Sequence, residues 1–489
     1  MLSLIIFLPL LAAFAILLGA PGRKTAIGAS ALQFVLTLFA LLGYDKAKGG
    51  FQLLSTCPIL PEWKLNYAVG VDGLSLVMLF LTAIVTLAAV WVSPKIEKRE
   101  NLFYACLLFI SAGAAGAFAS VDLFFFYAFH ELALIPTFLL IGLWGTGERF
   151  TAAWKITIYL GLGSFVLLIG LVDLYLAVPE ASRTFNLIDL QQLAATGIIP
   201  AEAQSRPYIF LLIGFGILIS LFPFHSWAPP AYASAPAPAA MLHAGVLKKF
   251  GLYGLIRVAL PLLPEGAKSW AWLLLILLVG NIIYVGFVTI AQKKLDLLLG
   301  YSSVMHMGYI FLGIAALNVI GVSGAALLMF AHGLSIAALF AMAGFLREKS
   351  PLLALDSFGG LAKAAPWLGF TFGLAAFASI GLPGFANFAG EMTIFFGAFK
   401  PAAGLISSNF YLATVFALWG VVVSAVYMLR AYRAIFLGEP GKDIATWSDP
   451  AKAMRWPVVL LLAVLLLAGF APRVFLAYVQ PSIEALLPK

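Results

Sequence analysis

Long apolar stretches joined by short polar links fill this chain. About 20 apolar residues make a helix long enough to cross the hydrocarbon of a bilayer. The pattern predicts about 14 crossings, over 2–20, 25–43, 73–93, 103–119, 121–143, 152–177, 207–234, 236–260, 270–291, 295–318, 320–345, 366–401, 408–435 and 456–478. The opening run, MLSLIIFLPLLAAFAILLGA, resembles a signal peptide but lacks a basic start, and its length suits a first crossing. Two segments fall outside the pattern. Residues 44–70 read as a polar loop with Pro58 and Pro61, and 179–206 as a link holding a short helix on the membrane surface. The fold class expected is an all-α polytopic membrane protein.

Two predicted crossings cannot be straight. Between Leu218 and Lys249, prolines stand at 223, 229, 230, 236 and 238 among two histidines and two lysines. Proline removes a backbone donor and clashes with the preceding turn. Inside a bilayer a helix breaks only where protein or water receives the freed backbone groups. ISLFPFHSW (219–227) therefore predicts a broken helix beside a wet cavity. SIGLPGFANFAGE (379–391) repeats the device at Pro383 and Gly384, five crossings later. Paired interruptions suggest two inverted five-helix repeats, crossings 4–8 and 9–13, meeting at the midplane. The expected units are peripheral helices in 1–100, one repeat in 101–262, a second in 263–436 and a last crossing in 437–489.

Composition agrees with that reading. Of 489 residues, 63% are hydrophobic and 10% charged, where a soluble domain is nearer one half and one quarter. The net charge of +8 gathers in alternate links, with Arg23, Lys95, Lys293, Arg347 and Arg433 among them. Such a bias is a topology signal rather than a nucleic-acid surface, and it puts both termini in the periplasm of a bacterial inner membrane. Lys46, Lys48 and Lys64 run against it. Cys57 and Cys106 form no CxxC pair, which excludes an iron–sulfur cluster or a Cys-rich zinc site held by this chain. No HExxH spacing, Walker loop or GxGxxG after a strand occurs. No metal, nucleotide or flavin site is expected here.

Ionisable groups inside a bilayer are costly and mark ion or proton paths. Glu131, in FFFYAFHELALIPTF, needs a cation, a proton or a helix–helix hydrogen bond. Its neighbour His130 should face about 100° away. Lys155 lies one turn inside crossing 6, placed either to relay a proton or to reach the interface. Asp173, near the far end of that crossing, suits the interface. His225 stands at the first break. With His130, His243, His306 and His332, all five histidines lie inside crossings. Unpaired buried imidazoles cost energy, and imidazole is the side chain best suited to a relay near neutral pH. The consecutive Lys248 and Lys249 should diverge, one toward the cavity and one toward a neighbouring helix or the interface. Glu391, after the second break, reads as a proton acceptor on the release side or as a cap of the new half-helix.

Together these stretches resemble the antiporter-like subunits of respiratory complex I over nearly the whole chain, and among them the M-type. The likeness is carried by VDGLSLVMLFLT (71–82), FFFYAFHELALIPTFLLIGLWG (124–145) and TAAWKITIY (151–159). FPFHSWAP (222–229), AGVLKKFGLYGLIR (244–257) and YSSVMHMGY (301–309) add to it, as do AHGLS (331–335) and GLPGFANFAGE (381–391). The resemblance selects Lys249 over Lys248, and a glutamate at 391 marks the M-type. Three positions depart from the family pattern. Leu218 stands where a lysine pairs with the fifth-helix glutamate, Pro230 where an aspartate is usual, and Asp296 where a basic residue is usual.

The resemblance implies a proton-translocating subunit of an NADH-quinone oxidoreductase, part of a translocase but with no redox site of its own. Its proton path would use Glu131, Lys155, His225, Lys249, His306, His332 and Glu391. NADH or another donor, flavin, iron–sulfur clusters and quinone would belong to partner subunits, with L-, N- and K-type chains as membrane neighbours. The alternatives are an Mrp-type cation/proton antiporter subunit and a scaffold that keeps the fold with impaired conduction.

Overall fold

The computed structural model describes residues 1–405 and 408–487 and consists almost wholly of helices. Helices dominate because in lipid the backbone must satisfy its own hydrogen bonds. In chain order they are α1 (Leu2–Leu17), α2 (Gly22–Leu42), α3 (Gly73–Trp91), α4 (Glu100–Ala119), α5 (Leu123–Trp144) and α6 (Arg149–Ala177). Then come α7 (Leu187–Ala195), α8 (Ala201–Ile219), α9 (Ala228–Ser234), α10 (237–262), α11 (Ala271–Ala291) and α12 (Leu295–Ala315). The last are α13 (Val319–Lys349), α14 (Pro366–Ile380), α15 (Ala386–Ala398), α16 (Ser408–Phe436), α17 (Lys452–Phe470) and α18 (Pro472–Leu486).

Among the described residues, ten helices are long and apolar enough to cross a membrane: α2–α6, α11–α13, α16 and α17. The chain is a polytopic membrane protein. Helix α13 forms the axis, buried along its whole apolar window, with α3, α4 and α12 nearly as enclosed. Helices α5, α6, α16 and α17 instead turn Ile135, Phe165, Trp419 and Leu467 outward. Helices apolar on every side suit either a protein core or lipid.

Three features differ from the sequence expectations. Residues 44–70 are no plain loop: β1 (Gln52–Leu60) pairs antiparallel with β2 (Leu65–Val71), Thr56 opposite Ala68 and Cys57 opposite Tyr67. Pro58 is compatible because β1 is an exposed edge strand, where a missing N–H costs no ladder bond. The crossing expected over 456–478 ends at Phe470, and α18 starts at Pro472, whose ring cannot continue the ladder. The unit expected over 437–489 also extends past the described residues. Finally, α10 widens into π turns at His243–Leu247 and Leu255–Ala259, and α11 does so at Gly280–Tyr284. Each such turn takes an extra residue and rotates the side chains that follow it.

Candidate functional site

The first break lies between α8 and α9. Helix α8 ends with Ser220 in the left-handed region, φ 67°. An amide from α11 takes up the freed groups: Asn281 Oδ1 accepts from Phe222 N at 2.6 Å, and Nδ2 donates to Ser220 O at 3.2 Å and Val304 O at 2.9 Å. Trp227 Nε1 donates to Ile217 O at 3.0 Å across the gap. The sequence reading missed Asn281, whose signal was a lone amide inside an apolar run. His225 is buried in the break, stacked on Phe222 with ring centroids 5.6 Å apart, and its Nδ1 has no hydrogen-bond partner among the described residues. Tyr159 OH lies 3.1 Å from Ser226 Oγ and ties α6 to the break. Lys155, one turn earlier on that helix, is half-buried and within electrostatic reach of His225.

The far end of α9 is clamped from α13. Arg347 donates to Ala233 O at 2.8 Å and Ala235 O at 3.0 Å, and pairs with Asp296 at 2.9 Å. Arg347, one of the link charges counted in the sequence, is thus a largely enclosed tether. Asp173, in contrast, pairs with the exposed Arg206 at 2.9 Å.

Lys248 and Lys249 do diverge, but neither reaches the interface: both are buried in the centre of the bundle. Lys249 Nζ donates to Ala244 O at 2.6 Å and lies 2.9 Å from His332 Nδ1 on α13. A lysine ammonium can donate only, so His332 Nδ1 accepts whenever Lys249 carries the proton. His306 on α12 lies beside His332, ring centroids 5.7 Å apart. Its Nδ1 is 2.7 Å from Ser302 O and its Nε2 is 2.8 Å from Ser379 O. Carbonyl oxygens only accept, and a neutral imidazole has one N–H. Both bonds form together only on a doubly protonated ring; a neutral ring makes one of the two.

Glu391 is buried on α15 with no ion pair, and its Oε1 has no partner among the described residues. Its carboxylate lies against Gly381 (φ 82°), where a Cβ would collide with Oε2. This is the C-terminal end of α14, and α15 starts only at Ala386 with no side-chain cap. The capping expectation for Glu391 therefore fails. Tyr309 and Tyr427 stand within electrostatic reach of Glu391, and Tyr427 OH meets Ser302 Oγ at 2.8 Å. A polar line thus runs from Lys249 through His332, His306 and Ser302 toward Glu391.

Glu131 is placed differently. Ser164 Oγ donates to its Oε1 at 2.5 Å, and its side chain is 36% exposed. It faces a groove of about 320 Å³ between α5 and α6, lined mainly by Ile135, Phe138, Ile156 and Leu160. His130 Nδ1 stands 3.5 Å from the same oxygen, contrary to the expected divergence, because the long glutamate side chain bends back across the helix. The His130 ring stacks on Phe250 at 4.0 Å, the residue next to Lys249. Leu218 packs against Gly163, so no base approaches Glu131 from that position. A second missed feature is the buried Arg257–Asp72 pair at 2.5 Å, which also engages Ser75 and Tyr253. The pair's partners lie 185 residues apart, and no local spacing connects them. No group of three His, Cys, Asp or Glu among the described residues is placed to hold a metal.

An all-helical bundle with two interrupted helices and buried bases along its axis is the architecture of antiporter-like membrane subunits. The sequence profile of the NADH:quinone oxidoreductase/Mrp antiporter transmembrane family matches residues 120–417. The chain belongs to this family, as an antiporter-like membrane subunit of the NADH-quinone oxidoreductase, or complex I, kind. It is 34% identical to NADH-quinone oxidoreductase subunit M of Rickettsia felis over 499 aligned residues, covering 100% of this chain and 98% of the relative. It is 37% identical to NAD(P)H-quinone oxidoreductase chain 4 2 of Microcystis aeruginosa, covering 90% and 79%. A chain of respiratory complex I from Thermus thermophilus with bound NADH superposes with TM-score 0.89 at 30% identity over 100% of both chains. A chain of the Mrp complex from Dietzia sp. shares the fold, with TM-score 0.85 at 21% identity over 99% of this chain and 97% of that one.

Proposed function

We propose that this chain translocates protons as a membrane subunit of a complex I-type NADH-quinone oxidoreductase, driven by electron transfer in partner subunits. The observation that carries the reading is the Lys249–His332 contact at 2.9 Å, buried, with no carboxylate paired to either residue among the described ones, and continued by His306 toward Glu391. Ions are expensive in such a place unless they are paired. A line of unpaired bases ending at an unpaired acid has a clear use in passing a proton. In this reading Lys155 and His225 serve the uptake side, Lys249, His332 and His306 the middle, and Glu391 the release side. Glu131 acts from the flank, where a neighbouring subunit can reach it.

The finer architecture belongs to the same proposal. It has 14 crossings, with the helices of 101–262 and 263–436 as inverted repeats around the line, 1–100 and 437–489 outside the repeats although α3 is enclosed, and both termini in the periplasm of a bacterial inner membrane. L-, N- and K-type chains are its neighbours, and the donor, flavin, iron–sulfur clusters and quinone reside in partner subunits. The test is Lys249→Ala in the assembled complex, reconstituted in vesicles. NADH-driven acidification should fall at least about tenfold, since a positioned acid–base group is typically worth about 10²–10⁴-fold. Unchanged acidification in an assembled variant would overturn the reading. A loss that depends on sodium rather than on NADH would favour a cation/proton antiporter.

A further inference from the structure

Lys248 is the buried base that this path leaves unused. It is 1% exposed and follows directly on the π turn at His243–Leu247. Its Nζ donates to Ser303 Oγ on α12 at 3.3 Å and lies 5.5 Å from the Tyr232 ring on α9. Tyr232 OH is in turn 3.3 Å from His243 Nδ1. From the packed elements the titratable groups facing it are His225 at the break, His243 and Lys249 on α10, His306 on α12 and His332 on α13. All of these are bases. Among the described residues neither lysine forms an ion pair. A lysine kept only as an anchor would find a carboxylate; this one has a single long bond to a hydroxyl.

Two ammonium groups buried among bases alone repel each other. Such neighbours titrate as a pair rather than as two independent groups. We propose that Lys248 and Lys249 form a two-base relay that holds one proton between them. This rests on the proton-path reading above and deepens it. Lys248 receives the proton on the His225 side of α10. Its N–H bond breaks as one forms at the Lys249 amine, the proton crossing the gap between the two diverging side chains through water, and Lys249 passes the charge to His332. No electrons change hands.

The experiment compares Lys248→Leu, Lys248→Met, Lys248→Arg and Lys249→Leu in the assembled complex in vesicles, with assembly read on native gels and NADH-driven acidification measured. All three Lys248 variants should assemble and lose acidification about tenfold, the arginine included, since it keeps charge and donors but holds its proton. If Lys249→Leu loses acidification while the assembled Lys248 variants keep it, the relay is overturned and the path through Lys249 stands. Rescue by arginine makes Lys248 a positioning donor and overturns the relay as well. Failure of all three to assemble makes Lys248 a packing residue, and the relay is then overturned too. If Lys249→Leu itself acidifies normally, the underlying path fails.

Discussion

The two interrupted helices solve one problem in different ways. At the first, Asn281 reaches in from α11 and binds both sides of the gap, while Trp227 spans it. At the second, the side-chain bond among the described residues is His306 on the Ser379 carbonyl, which holds one side of the gap and does not span it. Gly381 and Gly384 turn the chain at φ 82° and 98°, and the backbone closes on itself through Gly381 N to Ala378 O and Leu382 N to Phe377 O. Helix α17 then packs Gly469 directly onto the Gly384 carbonyl. The consequence is chemical. The braced break leaves its histidine at the edge of the polar line, within reach of Lys155 and Lys248. The bare break leaves room for an acid, Glu391, against the exposed end of α14. Polar atoms at the first break stabilise the backbone, whereas at the second Glu391 Oε1 is left without a partner among the described residues.

That contrast can be tested, beginning with the largest effect. Glu391→Gln keeps the shape and removes the titrating group. In the assembled complex NADH-driven acidification should drop on the order of tenfold or more with assembly intact; full activity would mean that the bare break carries no proton. Asn281→Leu should destabilise the protein by about 3 kcal/mol, because Phe222 N–H is left buried without an acceptor and two carbonyls lose a donor. Thermal unfolding in detergent measures this, and an unchanged midpoint would mean that the brace is dispensable. Gly469→Ala pushes a methyl group into the second break and should cost about 2 kcal/mol by overpacking, read the same way. Trp227→Phe removes a single bond across the first break and should cost about 1 kcal/mol. If Gly469→Ala proved milder than Trp227→Phe, the two breaks would be braced alike.

Legibility in the sequence follows the range of the interaction. The interruptions at Pro223 and Pro383 are readable because proline acts on its own turn. Leu187–Ala195 is readable as a short helix in a link, with Asn186 capping it through its own next residues. The hairpin of 52–71 is not, because β2 is held by residues distant in sequence, Val69 bridging to Ser120 at the end of α4, and the exposed β1 pairs onto it. Backbone geometry alone turns His130 away from Glu131, and a flexible side chain undoes that. The Arg257–Asp72 pair is invisible in the sequence, since each residue sits in a stretch that reads plainly without the other.

The order of apolar runs, the two breaks and the roster of buried acids and bases were settled by composition along the chain, because hydrophobic length and proline stereochemistry are local. Which base meets which partner was decided only by the packed bundle. Lys249 finds His332 83 residues away, and Phe222 finds Asn281 59 residues away. Helix rotation, adjusted by the π turns of α10 and α11, aims those side chains, and rotation is set by the neighbours a helix packs against.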